Sequence, residues 1–194
     1  MALNIGILAI QGDFSKHKEA IESLGHQALL VKDEATLKQC DKLIIPGGES
    51  TTQLLLIDKL GLREPLIQFG QTKAIMGTCA GLILLGTTRE HLPADPLRLI
   101  DIQVKRNAYG RQVDSFIDMV RLNLDGQEIE FEGVFIRAPK IMSTGEDVRI
   151  LGRHGDEIVL AANARILVAT FHPELTNDYR IHQYFIEKIG NGSI

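Results

Sequence analysis

Cysteine is scarce: the 194 residues include two, Cys40 and Cys79. Two cysteines build no disulfide framework, and neither has a second Cys or His at ligand spacing, so no metal site is expected. The same scarcity fits a reducing, cytoplasmic compartment. Long apolar runs are missing too. Ile5 to Ile10 falls far short of the roughly 20 residues a spanning helix needs. The start, Met-Ala-Leu-Asn, has no basic region, and Gln11-Gly12-Asp13 stands where a cleavage site would need small residues, so neither export nor a membrane is expected. There is no basic excess: 21 Lys and Arg stand against 25 Asp and Glu, a net charge of -4. Nucleic acid and anionic membranes are therefore not expected partners. What is present is ordinary globular composition, 44% hydrophobic and 24% charged. The length suits a single domain over 1–194.

The first half alternates strand and helix signals. Ile5-Gly6-Ile7-Leu8-Ala9-Ile10 reads as a strand buried on both faces of a parallel sheet. Asp13 is placed to cap a helix whose apolar face is Phe14, His17, Ile21 and Leu24, with Gly25 as its stop. Strands are predicted at Gln27 to Val31, Lys42 to Ile45 and Ala74 to Met76, with helices at about Ser50 to Leu60 and Glu64 to Phe69. Beyond residue 90, short Val- and Ile-rich segments alternate with Gly, Asn and Asp: Leu99 to Lys105, Ser115 to Leu122, Ile129 to Ile136, Val148 to Leu151, Ile158 to Leu160 and Arg165 to Thr170. These read as strands joined by turns, many of them antiparallel. A last helix fits Asp178 to Ile189, closed by Gly190. The expected fold is a single-domain α/β structure, an open, mostly parallel sheet flanked by helices with an added antiparallel part.

Gly77-Thr78-Cys79-Ala80-Gly81 lies between an apolar strand and the apolar run Leu82 to Leu85. That is the setting of a nucleophile elbow with sulfur in place of a hydroxyl. A tight strand-to-helix turn strains the nucleophile's backbone and leaves no room for side chains two residues to either side. A helix N-terminus favours the Cys79 thiolate, and the Ala80 N–H is placed to meet an oxyanion. Cys40 lacks this setting and reads as a small buried hydrophobe.

A thiol that attacks an amide needs a base to accept its proton and return it to the leaving amine. Of six histidines, His172 stands out, in Thr170-Phe171-His172-Pro173-Glu174 just after the apolar strand Ile166 to Ala169. Pro173 biases His172 toward extended backbone, and two residues apart on an extended segment share a side. Glu174 is then placed to orient the imidazole, the alternative being a solvated histidine and a capping glutamate. A third group is Pro46-Gly47-Gly48-Glu49-Ser50-Thr51, again between a strand and a helix. Its paired glycines permit close approach of backbone to a ligand and offer a second oxyanion donor. The plainer reading is a glycine turn with Ser50 as helix cap.

An elbow cysteine, a downstream His-Pro-Glu and an upstream Pro-Gly-Gly turn resemble the class I glutamine amidotransferases. Within that class, GILAIQGDFSKH at the start, LIIPGGESTT at 43–52, GTCAGLILL at 77–85, RNAYGRQ at 106–112, FIRAP at 135–139 and FHPELT at 171–176 resemble the glutaminase subunits of pyridoxal 5'-phosphate synthase. The resemblance implies that Cys79 attacks the side-chain amide of L-glutamine and leaves a glutamyl thioester, with His172 and Glu174 completing the relay. It implies an oxyanion hole from Gly47, Gly48 and Ala80, and a glutamine pocket lined by Gly47, Gly48, Glu49, Arg106, Ile136 and Arg137. A cationic and an anionic anchor suit a substrate carrying both a carboxylate and an ammonium. Gln11 is implied near the site and the partner surface. The partner implied is the synthase subunit in a hetero-oligomer, to which ammonia is passed, and no cofactor is implied for this chain.

Two competing readings share the elbow: another cysteine α/β hydrolase of peptidase or deglycase type, and a catalytically silent scaffold subunit. The first should ignore free glutamine; the second has no need of Cys79, His172 and Glu174 together. Local departures from the resemblance are Ile117, where an acidic residue is expected, and the stretch Leu160 to Leu167.

Overall fold

The computed structural model describes residues 1–106 and 115–191. Its strands are β1 (Asn4–Leu8), β2 (Gln27–Val31), β3 (Lys42–Ile45), β4 (Ala74–Thr78), β5 (Ile102–Lys105), β6 (Ser115–Leu124), β7 (Gln127–Ile136), β8 (Lys140–Thr144), β9 (Arg149–His154), β10 (Glu157–Ala162) and β11 (Ile166–Ala169). Its helices are α1 (Phe14–Ser23), α2 (Glu34–Lys38), α3 (Ser50–Lys59), α4 (Arg63–Thr72), α5 (Ala80–Leu85) and α6 (Arg180–Lys188). All the strands belong to one 11-stranded sheet of order β2-β1-β3-β4-β11-β10-β9-β6-β7, with β8 paired to β10 and β5 to β8.

The strands β2, β1, β3, β4 and β11 run parallel. All pairings beyond β11 are antiparallel. The expected α/β class holds, and the antiparallel part continues the same sheet rather than standing beside it.

Side-chain alternation explains why the parallel strands read as unbroken apolar runs. Leu43 and Ile45 of β3 join a core with Leu54 and Ile57 of α3 and Leu66 of α4. Ile44, between them, faces the opposite core with Ile21 of α1 and Phe185 of α6. Helices therefore cover both faces, and the inner parallel strands β1, β3, β4 and β11 keep no exposed side. No described helix is long and apolar enough to cross a membrane.

Two elements had no counterpart in the sequence reading. Helix α2 is five residues long and buries only Leu37, too short to show a periodic stripe; Asp33 caps it by accepting the Thr36 N–H at 2.8 Å. In β8, Ile141 is buried while Met142 is 60% exposed, so hydrophobic alternation is absent. A third difference is Asp13, which stands at the α1 N-cap position without a side-chain cap hydrogen bond. Its carboxylate accepts from Ser15 Oγ at 2.8 Å instead.

Among the departures, Ile117 lies exposed on β6 opposite Val134. Leu160 and Leu167 are fully buried core residues of β10 and β11. The ends of β1, β3, β4 and β11 all reach the same edge of the parallel sheet, where functional groups of open α/β sheets collect. From that edge project the segments carrying Gln11, Gly47, Cys79 and His172.

Candidate active site

Cys79 joins β4 to α5 at φ 49 and ψ -103, a conformation that costs an L-residue energy and persists only where the surroundings impose it. They do. A Cβ on Gly81 would lie 2.1 Å from the Ile45 carbonyl oxygen, and one on Gly77 would lie 2.6 Å from Leu85 and 2.7 Å from the Gly81 backbone. The Cys79 N–H donates to the Ala169 carbonyl at 2.9 Å, which ties the elbow to β11. The steric reason anticipated for both glycines is thus met by named backbone atoms. Replacing Gly81 with Ala forces β3 and α5 apart, with an expected loss of at least about 1–3 kcal/mol, measured as a lower urea midpoint.

His172 follows β11 and is held by its own N–H, which donates to the Val134 carbonyl at 2.9 Å. Its Nδ1 lies 2.7 Å from Oε1 of Glu174, whose side chain is fully buried. The pair forms, but not by the extended path expected from residues 172–174. Pro173–Leu175 is a 3-10 turn, and Pro173, with its fixed φ and missing N–H, suits the first position of such a turn.

Burial by itself pulls the His172 imidazole down. Hydrogen bonds to Cys79 and Glu174, reinforced by their charges, raise it to about 10. Burial likewise opposes ionisation of Glu174, yet His17 and the hydrogen bond with His172 hold its carboxyl at about 2. The outcome is an imidazolium beside a carboxylate. Cys79 Sγ also lies 3.7 Å from the Ile136 carbonyl oxygen.

The glycine turn packs directly against this pair. A Cβ on Gly47 would stand 2.4 Å from His172 Cε1, so only glycine fits there. The Gly47 N–H donates to Thr78 Oγ1 at 3.2 Å rather than into the cavity. Gly48 has φ 153, and a Cβ there would meet Gln11 Oε1 at 2.6 Å. That same oxygen accepts the Glu49 N–H at 3.0 Å, so Gln11 braces the turn from behind.

Glu49, not Ser50, caps α3: its carboxylate accepts from Thr51 N at 3.1 Å and Thr52 N at 2.6 Å. Burial opposes its ionisation, and these bonds outweigh it and hold the carboxyl below its ordinary value. Arg106 approaches Glu49 Oε1 at 3.5 Å and donates to the His91 carbonyl at 2.6 Å. The remainder of the 106–112 block lies outside the described residues.

One cavity of about 470 Å³ gathers Gly47, Gly48, Glu49, Cys79, Ala80, Arg106, Ile136, Arg137 and His172. Glu174 stands behind His172, and Gln11 behind the turn. Asp13, Ser50 and Ile83 also line the cavity. By sequence Asp13 reads as a helix cap, Ser50 as part of the glycine turn or its helix cap, and Ile83 as part of an apolar run. All three lie inside the motif blocks quoted above, the signal that could have marked them. A larger open concavity of about 700 Å³ lies over β6, β7 and β9. Its lining includes neither cysteine nor histidine.

This geometry has relatives. A relative from Oenococcus oeni, named pyridoxal 5'-phosphate synthase subunit PdxT, is 46% identical over 96% of this chain and 97% of its own length. One of the same name from Thermosipho africanus is 45% identical over 96% and 99%. A crystal structure of a glutamine amidotransferase superposes with a TM-score of 0.87 at 42% identity, covering 94% of this chain and 97% of that one. The model of the SNO glutamine amidotransferase family matches residues 7–191. The chain belongs to the SNO glutamine amidotransferase family.

Proposed function

We propose that this chain is the glutaminase subunit of a pyridoxal 5'-phosphate synthase, acting as one domain over 1–194 in the cytoplasm. It hydrolyses L-glutamine to L-glutamate and ammonia and delivers the ammonia to a synthase subunit in a hetero-oligomer. The observation that carries this reading is the shared cavity. It places a strained elbow cysteine, an imidazolium and two opposite charges, Glu49 and Arg106, around one volume.

Sγ of Cys79 attacks the δ-carbonyl carbon of glutamine, and the carbonyl π electrons move to oxygen. The Ala80 N–H holds that oxyanion, joined by the Gly47–Gly48 turn once the synthase docks. As the C–N bond breaks, His172 gives its proton to the departing ammonia and a glutamyl thioester remains. Water then attacks the thioester, His172 accepts its proton, the C–S bond breaks and glutamate leaves. Glu174 keeps the imidazole oriented and its charge balanced throughout. Arg106 and Arg137 are suited to the substrate carboxylate and Glu49 to its ammonium.

With the Gly47 N–H bound to Thr78, the oxyanion hole is incomplete, so the isolated chain should turn over slowly. Loss of one oxyanion donor costs roughly 10²–10³ in rate. Glutamate release is therefore expected to rise by about 10²-fold or more when the synthase is added. Equal release with and without the synthase would reject the partner-completed site. Indifference to glutamine under both conditions, with Cys79 still alkylated by thiol reagents, would favour the peptidase- or deglycase-type reading.

A further inference from the structure

Behind the triad lies a polar cluster that the reaction steps do not use. His17 of α1 and His182 of α6 are both fully buried. His17 Nδ1 lies 3.0 Å from His182 Nε2, and the two rings are tilted at 57°. On its other side, His17 Nε2 lies 3.2 Å from Thr78 Oγ1 and 3.5 Å from Glu174 Oε2. Oε2 has no hydrogen-bond partner of its own, and neither does His182 Nδ1.

The distances allow two tautomer chains, and the charge on Glu174 chooses between them. Glu174 is a buried carboxylate, and Oε1 alone is bonded to His172. A buried charged oxygen left without a donor is costly, and His17 Nε2 is the donor placed to serve it. Nε2 of His17 must then carry a proton, which makes its Nδ1 an acceptor. His182 must in turn carry its proton on Nε2, and its Nδ1 is left bare. His182 Nδ1 has no partner in either chain, and this one leaves there a bare nitrogen rather than an unpaired N–H. Burial pushes both rings toward the neutral form, His182 to about 3. The groups facing His17 are Glu174, His172, His182 and Asp13, and the Tyr179 ring meets His182 edge-on.

We propose that His17, with its tautomer set by His182, is a positioning residue for the reaction, holding Glu174 from behind. The proposal rests on the Cys79–His172–Glu174 reading and extends it by two histidines. His17 touches neither glutamine nor the reacting atoms.

The test uses the full chain in complex with its synthase subunit. His17→Met removes the donor, whereas His17→Gln keeps an N–H near the position of Nε2. His17→Met should lower kcat for glutamine about 10- to 100-fold, as for loss of a hydrogen bond to a charged group, with KM changed less than about threefold. The acid limb of its kcat/KM profile should move to higher pH, because Glu174 without its donor protonates more readily. His17→Gln should recover most of both. Unchanged kcat and an unmoved acid limb in His17→Met would overturn the proposal, as would a Gln variant no better than Met. Cys79→Ala run alongside separates the two levels: if it stays active, the triad reading fails and this proposal with it. Should His17→Met fail to fold, ¹⁵N shifts of the wild-type histidines decide the matter. Both His17 and His182 are expected as the Nε2–H tautomer, and an Nδ1–H His17 would overturn the proposal.

Discussion

Cys79→Ala in the synthase-bound chain is expected to abolish glutamate release, lowering kcat by at least about 10⁴-fold. Removing the nucleophile of a relay removes the covalent route altogether; what survives is the catalysis that binding and oxyanion donors give to water attack. Effects within such a unit are not additive. Cys79→Ala/His172→Ala should therefore be no slower than Cys79→Ala alone. The fold should tolerate the change. Cys79 is held by backbone bonds and by the glycines around it, and its φ of 49 strains alanine as much as cysteine. Release that persists in Cys79→Ala would rule out the thioester route. A double variant much slower than either single one would separate Cys79 from His172 as independent contributors.

Glu174→Gln should have the second largest effect, on both rate and stability. An amide in place of the carboxylate fails to stabilise the imidazolium and favours the wrong tautomer, a change worth about 10⁴ in kcat in a comparable triad. On stability, the wild-type pair sets a pH window. The folded-state pKa of His172 is raised from 6.5 to about 10, so its contribution is fully present below 6.5 and is lost as pH rises through about 10. The Glu174 pKa is depressed from 4.5 to about 2, so its contribution is present above 4.5 and is lost as pH falls through about 2. Stability from the pair is therefore greatest between those two unfolded values and declines on the alkaline side. In Glu174→Gln the imidazolium loses its buried partner. Its alkaline decline should still start near 6.5 but be complete at lower pH, and about 3–5 kcal/mol should be lost near neutrality. Urea midpoints from pH 5 to 10 read this directly. A variant whose midpoints parallel the wild type across that range would show that His172 is not charged in the fold.

Much of the parallel half was readable because its signals are local. Strands β2 and β3 begin and end at the residues predicted: β3 is buried throughout and stops at Pro46, and β2, a half-exposed edge strand, is closed by Lys32 and Asp33. The antiparallel half was found in outline. Strands β6, β7 and β10 extend beyond the predicted ends, in β6 and β7 because edge residues alternate with solvent and lose the apolar signal, whereas β5 starts only at Ile102. Strand β8 and helix α2 were missed for the same reason of weak amphipathicity.

The sequence by itself determined which residue types stand at the proposed site. The glycines at 77 and 81, the elbow cysteine and the His-Pro-Glu segment are covalently local patterns, and each carries its own steric or electronic reason. It could not determine how the segments meet. Sheet order places β4 between β3 and β11, and only that order brings Gly47 within touching distance of His172 and binds its N–H to Thr78. The tertiary structure also decided the character of His17. By periodicity it is one more position on the buried face of α1. In the folded chain, α6 supplies His182 on one side and the turn after β11 supplies Glu174 on the other. Hydrogen bonds between residues so distant in sequence leave no trace in the local pattern. They arise where packing excludes water and each buried polar atom must find its partner within the protein.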